Sequence, residues 1–148
     1  MIMQESAAAY DISFDAGRIQ LDVVHGFLAS SYWSPGIRRD IVERAIANSV
    51  VIGAYHKPTG VQVGFARVVS DKATFAYLCD VFVVPEHRGQ GLATEMIRLL
   101  HALPDFGTVR RWMLVTRDAQ KVYEPLGYEA LPQGRGMSWK APESRWQA

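Results

Sequence analysis

The chain reads as a mixed α/β domain of the α+β kind, with antiparallel strands first and a β-α-β-α-β tail behind them. Three observations carry that reading. "KPTG" separates two strand-like runs, "VVIGAYH" and "VQVGFARVV", in the manner of a hairpin turn. "ATFAYLCDVFVV" is a longer and largely apolar run, suited to a strand covered on both faces. At Gly91 the apolar period changes, and Leu92, Met96, Ile97, Leu99, Leu100 and Leu103 fall on the face of one helix.

Taken in order, "AYDISFD" at 9–15 alternates weakly and predicts a strand. Asp22 can cap a short helix through Ser30, with Val23, Val24, Phe27 and Leu28 on one face. "SSYWSPGI" is a loop, inside which Ser34 has the character of an N-cap with Pro35 in the first turn. Ile37, Ile41, Val42, Ala45 and Ile46 make a helical stripe out to Asn48. The hairpin, the long apolar strand and the helix from Gly91 follow, and "RRWMLVT" is the next strand. Asp118 can cap a short helix through Leu126 that Gly127 ends, although Pro125 interrupts it. "GMSWK" predicts a last strand, with one more short strand near Tyr128.

Bulk properties narrow the function classes. A length of 148 residues suits a single domain spanning 1–148, and 49% apolar residues supply a core. The formal net charge of +1 argues against broad attraction to nucleic acid. Cys79 is the only cysteine, so no internal disulfide forms and a reducing compartment is expected. His25, His56, His87 and His101 are scattered, so no metal is expected. "MIMQESAAAYDISFD" shows no secretory signal and no run is long enough to span a membrane, so the expectation is a cytoplasmic protein.

The chemistry concentrates in "VFVVPEHRGQGLATEMIRLL". The first N–H groups of a helix have no partner within it, and the helix dipole makes that end partly positive. Gly89 and Gly91 remove Cβ atoms where a phosphate would approach, and Arg88 adds charge. The turn is not a P-loop, for no Gly-Lys-Ser/Thr follows, nor does it carry the dinucleotide fingerprint. Read alone, it is either a diphosphate cradle or a tight turn whose glycines supply positive φ.

Around that turn, "YLCDVFVVPEHRGQGLA" resembles motif A of the GNAT superfamily, the acyl-CoA-dependent N-acyltransferases, whose pattern is Arg/Gln-x-x-Gly-x-Gly/Ala after a strand. Downstream, "VYEPLGY" resembles that family's Tyr-x-x-x-Gly-Phe/Tyr segment, here Tyr123, Gly127 and Tyr128. The resemblance is specific from about residue 61 to 130 and loose before that. It implies a twisted, mostly antiparallel sheet of six to seven strands, splayed in the middle and flanked by about four helices. It also implies transfer of an acetyl group from acetyl-CoA to a primary amine by direct attack in a ternary complex. The acceptor would be a small molecule or an amino-acid-like compound, with no nucleic acid, membrane or metal involved. Edge strands in this family often pair into dimers, which leaves a homodimer open for this chain.

Position by position, the resemblance puts the diphosphate of coenzyme A on the backbone of Arg88, Gly89, Gln90, Gly91, Leu92 and Ala93. It pairs the pantetheine arm with the main chain of Val81, Phe82 and Val83. Asp118 stands where many members have an asparagine that contacts the cofactor, and here its simpler role is a helix cap. Tyr123 would serve as the general acid toward the sulfur. Phenol and thiol pKa values of roughly 10 and 8.5 make hydrogen-bond donation the better description.

A lysine-like amine with a pKa of roughly 10.4 costs about 4–5 kcal/mol to neutralise at pH 7. Asp80 and Glu86 are the candidate bases, with His25 and His87 behind them; water held by Tyr77 is another route. An acid inside an apolar run also fits a structural role, paired to an arginine such as Arg67. Polyamine-type members carry an acidic pair where this chain has Cys79-Asp80, so a polycationic acceptor is disfavoured. Tyr32 and Trp33 would line the acceptor site, and Arg67 could bind an acceptor carboxylate. Two other readings stay open: acetylation of protein N-termini or lysines, and a non-catalytic acyl-CoA sensor.

Overall fold

The computed structural model describes residues 9–148, so the segment 1–8, with most of the stretch expected to carry no signal peptide, lies outside the described residues. Five strands form one sheet in the order of the chain: β1 (Tyr10–Ser13), β2 (Val50–His56), β3 (Gln62–Ser70), β4 (Phe75–Val83) and β5 (Arg111–Met113). The first four pair antiparallel, and β4 pairs with β5 in parallel. Helices α1 (Leu21–Ala29) and α2 (Arg39–Ala47) precede the hairpin, α3 (Leu92–Ala102) joins β4 to β5, and α4 (Gln120–Tyr123) follows β5.

Strand alternation sends side chains to two cores. Ile52, Ala54, Ala66, Val68, Ala76 and Leu78 face α3, whose Met96, Ile97 and Leu100 are fully buried against them. On the opposite face, Val51, Phe65 and Phe82 meet Val24 and Leu28 of α1 and Val42 of α2. Gly64 allows the close approach of α3: a Cβ there would lie 3.2 Å from Met96 Cε and 3.1 Å from Ala54 Cβ. The hairpin closes as expected after His56, whose carbonyl accepts from the N–H groups of Thr59 and Gly60.

β4 is not buried on both faces along its length. Ala76 and Leu78 on the α3 side and Phe82 on the α1 side are buried, while Tyr77, Cys79, Val81 and Val83 are only half-buried along the cleft.

Several expectations at element ends are corrected. Ser34 caps no helix; its hydroxyl donates to the Leu28 carbonyl, and α2 starts at Arg39 after an extended Arg38. Asp22 lies inside the first turn of α1 and pairs with Arg39 at 2.7 Å instead of capping. Asp118 is no cap either: the Thr116 hydroxyl accepts from the Ala119 N–H, and α4 begins at Gln120. At Glu124 the α-helix gives way to a 3-10 turn (Glu124–Leu126) that accommodates Pro125, and Gly127 ends it at φ 97°.

The sheet has five strands where six to seven were expected. Neither the segment near Tyr128 nor "GMSWK" pairs into a strand, and Met137 and Trp139 are 97% and 77% exposed. Instead the tail reaches back to the loop before α2. Arg38 N–H donates to the Trp146 carbonyl, Ala148 N–H to the Gly36 carbonyl, and Ile37 bridges Gln147.

Candidate active site

β4 and β5 hold together over only three pairs, from Phe75↔Arg111 to Tyr77↔Met113, and then diverge. A strand released by one neighbour keeps its polar main chain available on that side. The gap opens into a cleft of about 1200 Å³ that runs from α1 and α2, past β4, to the start of α3 and to α4. Each of the fifteen residues expected at the site lines this cleft, Tyr32, Trp33 and Tyr123 among them. Of the other candidate bases, His87 reaches its rim but is bonded to the Tyr10 hydroxyl at 2.7 Å. His25 and Glu86 lie outside it, and His25 Nε2 sits 2.9 Å from the Ile37 carbonyl.

At the start of α3 the chain turns twice into the left-handed region, at Gly89 (φ 78°) and Gly91 (φ 75°). A non-glycine residue is uncommon in that region, which explains the spacing of the two glycines. Gly91 is the N-cap and, having no side chain, covers none of the amides in the first turn. Arg88 is tied back by donating from Nε to the Val83 carbonyl at 2.8 Å, which fixes the loop's exit from the strand. The amides of the first turn lie here, at the positive end of an eleven-residue helix.

The middle of the cleft is shaped by a bulge in β4. Arg67 opposes Cys79 and Phe65 opposes Phe82, so Asp80 and Val81 together face Ala66. Asp80 takes φ 56°, one of two non-glycine residues with positive φ among those described. That twist brings its carboxylate to Arg67: Arg67 Nε donates to Oδ2 at 2.8 Å, and Trp33 Nε1 donates to Oδ1 at 3.0 Å. Arg67 also donates to the Ser49 hydroxyl at 3.1 Å. The side chains of the pair are 19% and 13% exposed, so the partnership an acid in an apolar run requires is met here. Burial works against the Arg67 charge, but Asp80 together with Cys79 and Tyr77 outweighs it and holds the guanidinium pKa above its usual value. The Cys79 thiol, half-buried beside them, is pushed up to about 12 by burial first and by Asp80.

Tyr123, on the far bank, is half-buried, with its ring edge-on to Tyr128. Burial raises the pKa of its phenol, and the nearby Tyr32 adds to the effect, so the group keeps its proton. Tyr77 is raised in the same way, by burial and then by Cys79 and Asp80.

Sequence reasoning missed two features. Arg117 lies over the Tyr32 ring at 3.8 Å and its N–H donates to the Tyr32 hydroxyl, so the α1–α2 loop reaches both banks of the cleft. Half-buried Phe27, Ile41, Ala45 and Ile46 also line it, residues that the sequence marks only as apolar stripes on their helices. The exposure of that stripe depends on the strand divergence, which no local pattern announces.

The family model described as the acetyltransferase (GNAT) domain matches residues 47–130. FG08082, a Gibberella zeae protein assigned as an acetyltransferase, is 30% identical over 86% of this chain and 84% of its own length. Histone acetyltransferase TAP1 of Glycine max is 33% identical over 64% of this chain, which spans 46% of that longer protein. A Xanthomonas campestris pv. campestris crystal structure, assigned to GNAT-family acetyltransferases, superposes with a TM-score of 0.83. It is 37% identical and covers 90% of this chain and 94% of its own. The family model covers more than half of the chain and the Gibberella zeae relative matches over most of both lengths, which leaves one conclusion: this chain belongs to the GNAT family of acetyltransferases.

Proposed function

We propose that the protein transfers an acetyl group from acetyl-CoA to a primary amine of a small molecule or amino-acid-like acceptor. The observation that carries this reading is the divergence of β4 from β5, which opens between the amides of the Gly89–Gly91 turn and the Tyr123 phenol.

The residues present fit the acyl donor. Uncapped amides at Gly91–Ala93 suit a diphosphate, and the main chain of Val81 and Phe82 on the open side of β4 suits an amide-bearing arm, while the Val83 carbonyl is already held by Arg88. When bound, acetyl-CoA supplies an activated acyl group on a thioester. The acceptor nitrogen forms the C–N bond as the C–S bond breaks, and the proton it loses ends, net, on the sulfur. Tyr123, kept protonated by burial, donates a hydrogen bond to charge developing at the leaving sulfur. Asp80 has both oxygens engaged by Arg67 and Trp33, which suits a group that shapes the site better than one that takes a proton. Water beside Tyr77 is then the route for the amine proton.

The test is incubation with acetyl-CoA and a panel of amines, following thiol release and thermal shift together. The expected outcome is stabilisation by acetyl-CoA with amine-dependent release of one thiol per amide formed. The protein's own Cys79, with its thiol pushed up to about 12, contributes little background. Stabilisation without release for any amine would identify a sensor instead. No stabilisation would remove acetyl-CoA from the account.

A further inference from the structure

The acceptor end of the cleft has a chemical character of its own. Its walls are Phe27 of α1, Trp33 of the following loop, and Ile41, Ala45 and Ile46 of α2, all at least partly exposed and none charged. Phe27 is held by stacking on Phe82, with ring centroids 4.0 Å apart and planes 8° from parallel, and Trp33 tilts against it at 6.3 Å. Trp33 cannot swing freely, because its indole N–H is tied to Asp80.

Charge is scarce at this end and already committed. The acids lining the whole cleft are Asp80 and Asp118, and Asp118 sits on the β5–α4 loop beside Arg117. Asp80 is neutralised by Arg67, so one carboxylate with spare lone pairs is all this end offers an amine. A second ammonium would find apolar wall and lose its hydration without a partner. A carboxylate or phosphate on the acceptor would face an Arg67 whose Nε and Nη1 are already donating, to Asp80 and Ser49. Lys140 stands only at the exposed edge.

Resting on the acetyl-transfer reading above, we propose that this end selects a primary monoamine with an aromatic or branched aliphatic body. The body packs between Trp33 and Phe27 on one side and the Ile41–Ala45–Ile46 face on the other, with the nitrogen toward the bulge at Asp80. Apolar burial against aromatic and aliphatic walls supplies the affinity, and the absence of a second acid supplies the discrimination. In the reaction the nitrogen gains the acetyl carbon, the thioester C–S bond breaks, and the displaced proton balances on the free thiol.

Steady-state kinetics at saturating acetyl-CoA test this, with 2-phenylethylamine and 3-methylbutylamine set against spermidine, alanine and a lysine-containing peptide. The apolar monoamines should show kcat/KM at least 10-fold above each of the other three. Ala45→Asp, which plants an acid in the apolar wall, should lower kcat/KM for 2-phenylethylamine at least 10-fold and raise that for spermidine. Its acetyl-CoA Kd, measured by calorimetry, should stay within 2-fold. Trp33→Ala is the second variant and should raise KM for 2-phenylethylamine about 10-fold with the same cofactor Kd. If acetyl-CoA binds and any of spermidine, alanine or the peptide is acetylated as well as the monoamines, the acceptor assignment is wrong while acetyl transfer stands. If no amine is acetylated, both fall together.

Discussion

Tyr123 is the residue on which the chemistry is most exposed to test. Its phenol lies on the far bank of the cleft, half-buried, and burial keeps it protonated. A donor needed only as charge develops at sulfur contributes to the transition state and not to cofactor binding. Tyr123→Phe should therefore lower kcat by about 10–100-fold, less than or comparable to the loss of an oxyanion donor, with acetyl-CoA affinity unchanged. An equal loss in affinity and kcat would assign the tyrosine to binding. Asp80 shows the other side of residue-scale reasoning. Its position in "LCDVFVV" demanded a partner, and Arg67 was legible as one because it sits on the neighbouring strand. The positive φ and the indole bond from Trp33 were not legible, since both depend on where the bulge falls and how the α1–α2 loop folds back.

At the scale of elements, the β4–α3 junction is where local chemistry and tertiary placement agree. Gly91→Asp places a carboxylate at the N-cap, beside the amides that a diphosphate would use. Aspartate tolerates left-handed backbone better than most residues, so the cost in stability should stay near 1–2 kcal/mol while acetyl-CoA Kd rises at least 100-fold. Gly60→Asp is the matched control, for it has φ 71° in the β2–β3 turn with open space around it. It should cost similar stability and leave cofactor affinity intact. If both variants bind alike, the anion site lies elsewhere. The same junction was the clearest part of the sequence, because an apolar strand, two glycines and a change of period are all local signals. The hairpin was legible for the same reason. The far end of the chain was not: "GMSWK" alternates as a strand does, but an alternating segment is a strand only if an edge accepts it. The tail instead bonds to residues 36–38, a contact that joins segments more than a hundred residues apart.

For the whole molecule, titration of half-buried groups sets the pH window in which the sheet and cleft persist. Burial pushes the Cys79 thiol from an ordinary value of 9.0 up to about 12, so between those values the unfolded chain ionises while the native one does not. The native state then binds more protons, and stability is lost as pH rises above about 9. Tyr55, Tyr77, Tyr123 and Tyr128 are raised mainly by burial, and they extend the same loss above their ordinary value of 10.0. His101, bonded to the Tyr128 hydroxyl at 2.8 Å, is shifted the other way, since burial lowers its pKa. Its contribution is present above its ordinary 6.5 and is lost as pH falls below that. The stability profile should be a plateau from about 6.5 to 9 with a fall on each side, measured by urea midpoints. Cys79→Ser should remove the first part of the alkaline fall, from pH 9 to 10, and leave the tyrosine-driven part above it. An alkaline limb that begins at the same pH in that variant would mean the thiol is not the group responsible. The plateau matters for turnover, because an amine acceptor gains reactivity as it loses its proton with rising pH. Activity should accordingly climb through the plateau and collapse where the fold does, not at an ionisation of Tyr123.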